Sequence, residues 1–427
     1  MKQRRDFLGR ETTMERHVFL ALVLCSLSTG CSIGPRALEH SRLRYNEAVK
    51  RTTQEQLLLN IVRLRYTDSP SSLGVTSIAA QHEIVKSLKL IPLLAASGDA
   101  VPQPFSRVLP QVEVNAADRP TLSYTPLDDQ DFTKRLFTPI PLDGVIYLSK
   151  TTWKTSTVFR LWLENLNWVS NAETASGPTP PTPPNFAEFR SGMDALQHML
   201  DRKVVAFFNE EQEESISAGL PTARLAGNEI VEAAKAGYEF RKDDKRDSWT
   251  LVKKKSVPHL RVHPEWIRDP DLLEFCRIFR LKPGLKSYEI VADKIDPFFS
   301  DRPKEGVNFL DLETRSLLQV LYFVSHGVDV PCEHLQSGQA PATREHDGRL
   351  FDWDQVLDGL FKVHVVKCRH RPANAHVSIQ YQGYWFYIDN RDRDTKATFA
   401  LLVDLSRIEL GSKIGASPIL TIPLGGR

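Results

Sequence analysis

His376-Val377-Ser378-Ile379-Gln380-Tyr381-Gln382-Gly383-Tyr384-Trp385-Phe386-Tyr387-Ile388-Asp389 reads as a β-hairpin. Val377, Ile379 and Tyr381 alternate with polar residues up to Gln382-Gly383, and Trp385, Tyr387 and Asp389 follow the turn. Period-two alternation places side chains on opposite faces of a half-buried strand, and a polar-Gly pair turns the chain. Asp394 to Leu405 then returns to helical spacing. Without a regular strand-helix alternation, this sets the class as α+β, with mixed helices and antiparallel hairpins.

Working outward, Phe361 to Val366 reads as a strand and Pro418 to Pro423 as a last short one. Leu312 to Val324 is apolar nearly all round and reads as a buried helix, with Gly327 as its C-cap. Upstream, Tyr238 to Lys253 reads as a hairpin, and Phe186 to Leu200 and Thr222 to Ala236 as helices. Asp131 to Phe137 and Thr157 to Trp168 also show helical spacing, and Val112, Val114, Leu122 and Tyr124 suggest a hairpin after a strand near Gly74 to Ile84. From Arg42 to Tyr66, Leu57, Ile61 and Leu64 recur beside Leu58 and Val62, which predicts a long amphipathic helix. Ser176 to Asn185 is dense in proline, the composition of a stiff spacer, and reads as a linker or an exposed loop. The expected organisation is a leader over 1–30, an N-terminal α+β domain over 31–175, the stretch 176–185, and a C-terminal α+β domain over 186–427. A body of about 400 residues exceeds what one core usually supports.

The leader rests on Val18 to Leu27, an apolar run too short to span a bilayer comfortably but suited to a signal-peptide core. Ser28-Thr29-Gly30-Cys31 closes it, and this ending resembles the lipobox of bacterial lipoproteins, with Ser28 where an aliphatic residue is usual. The resemblance implies acylation of Cys31, cleavage before it and a membrane anchor in the cell envelope. Ser32, rather than Asp, after Cys31 implies the outer membrane, facing the periplasm. Translation from Met1 or from Met14 would both yield this leader, and Arg4-Arg5-Asp6-Phe7-Leu8 in the longer form resembles a twin-arginine export motif. Gln56 to Tyr66 and Gly383 to Asp392, with Lys396 to Leu402, resemble an uncharacterised family of predicted bacterial lipoproteins, which implies an envelope lipoprotein and supplies no activity, substrate or cofactor.

The chain carries 55 basic and 53 acidic residues, and the leader takes five of the former and three of the latter, so the body is neutral. A neutral body gives no electrostatic footprint for nucleic acid. The expected partners are a membrane, through the lipid, and an envelope protein. Among Cys276, Cys332 and Cys368 an oxidising compartment allows one disulfide. Cys276 sits in an apolar run and reads as a small buried hydrophobe.

One enzyme pattern stands as the alternative to a binding or structural role. Cys332, His376 and Asp389 follow the order of a transglutaminase-like amide-bond hydrolase or transferase, with Gly383 and Trp385 before the Asp. His376 would lower the thiol pKa and Asp389 would orient the imidazole. The His-to-Asp interval is about two residues short, and Cys332 lacks the context of a long buried helix. Cys332-Glu333-His334 and Cys368-Arg369-His370 lack a structural-zinc spacing. Asp389, Asp392 and Asp394 are interleaved with Arg391, Arg393 and Lys396, which favours ion pairs and a helix cap at Asp394 or Thr395 over calcium. Trp153, Trp162 and Trp168 at helical spacing read as core rather than a sugar platform. No phosphate-binding glycine loop, Gly-x-Ser-x-Gly elbow or His-Glu-x-x-His helix is present, and no cofactor or metal is expected.

Overall fold

In the computed structural model the decisive hairpin forms from Ala375–Tyr381 and Tyr384–Asp389, and His364–Val366 pairs antiparallel on the second strand. Val377 and Ile379 bury opposite Ile388 and Phe386, while Trp385, Tyr387 and Asp389 take the half-exposed face. The structure describes residues 33–71, 73–79, 82–93, 107–118, 121–126, 130–217, 220–221, 227–243, 248–292, 294, 306–411 and 420–423. Residues 1–32, with Cys31, lie outside them.

The chain divides into two units, one of Met1–Gln56, Ser72–Leu127 and Lys413–Arg427, the other of Leu57–Ser71 and Asp128–Ser412. These bounds differ from the expected 31–175 and 186–427, and 176–185 lies inside the second unit. Composition identifies a stiff proline segment but is blind to what packs on it. Here the Thr343 Oγ1 donates to the Pro180 carbonyl at 2.7 Å and the Arg344 amide to that of Pro181 at 3.0 Å, so the stretch is a loop tied to the body of its own unit.

In the first unit, Thr121–Pro126 lies between Leu73–Ala79 and Leu420–Pro423, and His82–Leu93 pairs with Arg107–Asp118, all antiparallel. The hairpin expected between Val112 and Tyr124 does not form, because each of those strands pairs elsewhere. Alternation specifies a strand's faces and leaves its partner open.

The second unit centres on a mixed sheet in the order Val169–Ser170, Leu163–Leu166, Phe309–Thr314, Ser287–Val291, Ser248–Val262, Val205–Ser215. Only Ser287–Val291 and Phe309–Thr314 run parallel among its described pairs. The basic run Lys253-Lys254-Lys255 lies mid-strand opposite Glu214, Glu213 and Gln212, a complementary ladder that stabilises the pairing. Two helical expectations split. Thr155–Trp162 is helix but Leu163–Leu166 and Val169–Ser170 are strands, and Leu312 belongs to Phe309–Thr314 while the helix is Leu317–Ser325. A capping box starts the latter: the Gln319 amide donates to Ser316 Oγ at 3.3 Å and the Ser316 amide to Gln319 Oε1 at 2.7 Å. His326, not Gly327, is its C-cap, and Gly327 is required because a Cβ there would stand 2.5 Å from the Phe361 carbonyl oxygen. Asp392, rather than Asp394 or Thr395, caps the helix Arg393–Gly411, accepting from the Thr395 amide at 3.0 Å.

The helix Ile33–Arg65 contributes Leu57, Leu58, Ile61, Val62 and Leu64 to the core of the second unit, as its spacing predicts. Trp162 is fully buried there, and Trp153 and Trp168 pack against the same core. The observed class is α+β.

Candidate functional site

Cys332 opens a helix of five residues, Cys332–Gln336, and is exposed. Its neighbour Glu333 accepts from the Tyr384 hydroxyl at 2.9 Å, and the next residue, His334, lies 2.8 Å through Nδ1 from the Tyr66 hydroxyl. Those bonds fix the short helix to the turn end of the hairpin, where Tyr381 pairs with Tyr384. His376 and Asp389 lie at the other end, where Ala375 pairs with Asp389 beside a bulge. The five-residue offset from Tyr384 to Asp389 is roughly 17 Å of extended strand. Asp389 Oδ1 accepts from the Arg391 amide at 2.8 Å, as in a turn. The helix that Cys332 opens is thus tied to one end of the hairpin, while His376 and Asp389 of the alternative triad stand at the other.

Cys276, Cys332 and Cys368 are all free thiols. Burial pushes the Cys276 thiol's pKa up, and its sulfur lies 3.3 Å from the Tyr288 hydroxyl. Cys368 donates to the His370 carbonyl at 3.0 Å. Among the described residues no group of three or more His, Cys, Asp and Glu is placed to hold a metal ion.

What the fold does bring together is the end of the helix Ile33–Arg65 and the loops facing it. Tyr66 and Arg65 diverge there. The Tyr66 ring packs edge-on against Tyr381, His334 and Phe386 at centroid distances of 5.3, 5.6 and 6.2 Å. Burial raises the Tyr66 hydroxyl's pKa. Gln56–Tyr66 and Gly383–Asp392, distant in sequence, therefore meet through Tyr66 and Phe386.

Arg65 lines a cavity of about 150 Å³ with His326, Thr343 and Trp353, all buried, while Leu350, Asp352 and Asp354 line it with exposed side chains and mark its mouth. Arg65 is only 5 % exposed and its guanidinium has neutral partners: Nη1 donates to Thr179 Oγ1 at 3.0 Å and to the Pro341 carbonyl at 2.8 Å. Its Nε is buried with no partner. Burial lowers its pKa to about 10. The His326 ring stacks on Trp353 at 4.2 Å, and its Nε2 faces the Ala175 carbonyl at 3.1 Å. That contact assigns the proton to Nε2, and the Gly177 backbone also hydrogen-bonds the ring. Burial, reinforced by the Arg65 charge, pushes the imidazole's pKa down to about 3, so it is neutral near pH 7.

Beneath this lies a second buried cation. Arg315 donates from Nε to Ser176 Oγ at 2.9 Å and from Nη1 to the Arg160 carbonyl at 3.1 Å, with its guanidinium carbon 3.9 Å from the centroid of Phe323. Burial pushes its pKa down to about 9, opposed by the nearby Glu164. Ser176 and Thr179 thus place the proline-rich loop against both arginines. In the sequence Arg65 reads only as a flank of an apolar stripe. The available signal for His326 was an ionisable residue at the end of the all-round apolar segment Leu317–Ser325.

At the mouth Lys362 Nζ lies 3.0 Å from Asp329 and 2.7 Å from Asp354. Asp352 Oδ1 accepts from the Asp354 amide at 3.0 Å. Three carboxylates against one ammonium leave the mouth acidic, while the floor carries Arg65.

Comparison with family models, with curated proteins and with solved structures finds no match. Among the described residues no helix is long and apolar enough to cross a membrane.

Proposed function

We propose that this protein is a lipid-anchored component of the cell envelope, held at the outer membrane facing the periplasm, with a binding or structural role. The observation that carries the reading is Cys31 at the end of the short apolar run Val18–Leu27, behind Thr29-Gly30. Two acyl chains, with each buried CH₂ contributing about 0.8 kcal/mol, hold a neutral body at a lipid surface stably. The resemblance of Gln56–Tyr66 and Gly383–Asp392 to an envelope lipoprotein family points the same way. The meeting of these segments at Tyr66 and Phe386 gives them a shared structural reason. Binding is favoured over a purely structural role by the cavity lined by Arg65, His326 and Trp353. Its expected protein partner belongs to the same compartment.

Metabolic labelling with radioactive fatty acid tests the anchor. Label should enter the full-length protein and be lost in Cys31→Ala; label that persists in the variant refutes acylation at this residue.

A further inference from the structure

Val328 pairs in parallel with Val363, and the contacts that follow keep the two segments in step. The Asp329 amide donates to the Val363 carbonyl at 2.9 Å, the Asp329 carboxylate lies 3.4 Å from His364 Nδ1, and the Glu333 carboxylate lies 3.4 Å from Lys367 Nζ. These partners are 34 or 35 residues apart in the chain. Cys332 and Cys368 are 36 apart, so Cys368 falls one place beyond the position level with Cys332. Their chain neighbours Glu333 and Lys367 form the ion pair that joins the two backbones there. Paired strands lie about 4.8 Å apart, and a disulfide takes Cα atoms roughly 4.4–6.8 Å apart. Both thiols are free and both residues exposed, Cys332 at the head of its short helix and Cys368 in the irregular stretch 367–374. Neither belongs to the core, so each side chain can change rotamer without repacking it.

We propose that Cys332 and Cys368 form a disulfide in an oxidising compartment, and that this bond braces the wall of the Arg65 cavity. The span it closes contains Thr343, Leu350, Phe351, Asp352 and Trp353 of that wall. Closing such a span removes conformational freedom from the unfolded chain. The reaction is exchange with a disulfide oxidant. One thiolate opens the oxidant's S–S bond to give a mixed disulfide, the second thiolate displaces the oxidant's remaining sulfur, and two protons and two electrons leave as two thiols of the spent oxidant. The bond rests on the envelope reading for its oxidant in the cell. The two remain separable, because a fatty-acid label on Cys31 without the bond refutes the bond alone, and the bond in an unlabelled chain refutes the anchor alone.

The test incubates the full-length protein in detergent with glutathione disulfide and maps its unreduced digest by mass spectrometry. A peptide joining Cys332 to Cys368 should appear, with Cys276 still a thiol, and dithiothreitol should abolish it. Glutathione on either cysteine with no joining peptide, or a bond to Cys276, overturns the pairing. Cys332→Ser, an exposed substitution, should leave Cys368 as its glutathione adduct. Oxidation should raise the urea midpoint of the natural chain and leave that of Cys332→Ser where it was. An unchanged midpoint in the linked protein overturns the bracing of the wall.

Discussion

His326 shows how burial converts a titratable residue into a pH-dependent contribution to stability. Its folded pKa, about 3, lies below the ordinary value of 6.5, so the unfolded chain takes up a proton that the folded chain refuses. Stability from this residue is therefore complete above about pH 6.5 and is lost as pH falls from there toward 3. At about 1.4 kcal/mol per pKa unit the full window is worth on the order of 5 kcal/mol. His326→Gln removes the titration, so urea midpoints at pH 8 should favour the natural protein, and the gap should narrow as the pH is lowered to 4.5. A gap independent of pH would mean that the ring is not held neutral and buried. Thiol chemistry follows the same logic: exposed Cys332 and Cys368 are open to reagents, while Cys276 is shielded with its pKa raised.

Helix packing supplies the next scale. Ala187–Asp201 lies against Pro270–Ile278 with Gly192 at the crossing, where an added Cβ would stand 2.3 Å from Phe279 Cε2 and 2.5 Å from Cζ. Phe279 cannot retreat, being fully buried between Phe189 and Phe275 at 6.0 and 4.8 Å. Alanine improves helix propensity over glycine by about 1 kcal/mol. Overpacking costs about 1–3 kcal/mol. The clash wins, and Gly192→Ala should lower stability by about 1–2 kcal/mol in chemical denaturation, with Phe279→Leu restoring most of the loss. A stabilised single variant would show that the two helices have room to move apart. Element identity was well marked in the sequence where periodicity was long, as over Leu57–Leu64 and across the hairpin at Gln382-Gly383. It failed at Trp162–Leu163 and around Leu312, where buried strands and buried helices present the same continuous apolar run.

For the larger unit as a whole, the proline-rich loop is a structural member rather than a spacer. It holds Arg65 through Thr179 and presents carbonyls to Thr343 and Arg344. Five prolines lie within 178–184, and each restricts the unfolded chain by about 0.4–1 kcal/mol where its native geometry suits it. Replacing 178–184 by glycine and serine at equal length should lower stability by about 2–4 kcal/mol, read from the denaturant midpoint. A spacer between domains would show no change. The sequence alone determined the α+β class, the long first helix, the terminal hairpin and the expectation at Cys31, because hydrophobic period and local spacing are properties of neighbouring residues. Only the tertiary structure decided that the helix of Cys332 is tied to the end of the hairpin opposite His376 and Asp389, that residues 176–185 pack inside one unit, and that Arg65 and His326 line one cavity. Burial and partnership between residues more than a hundred positions apart arise from packing, which no local pattern encodes.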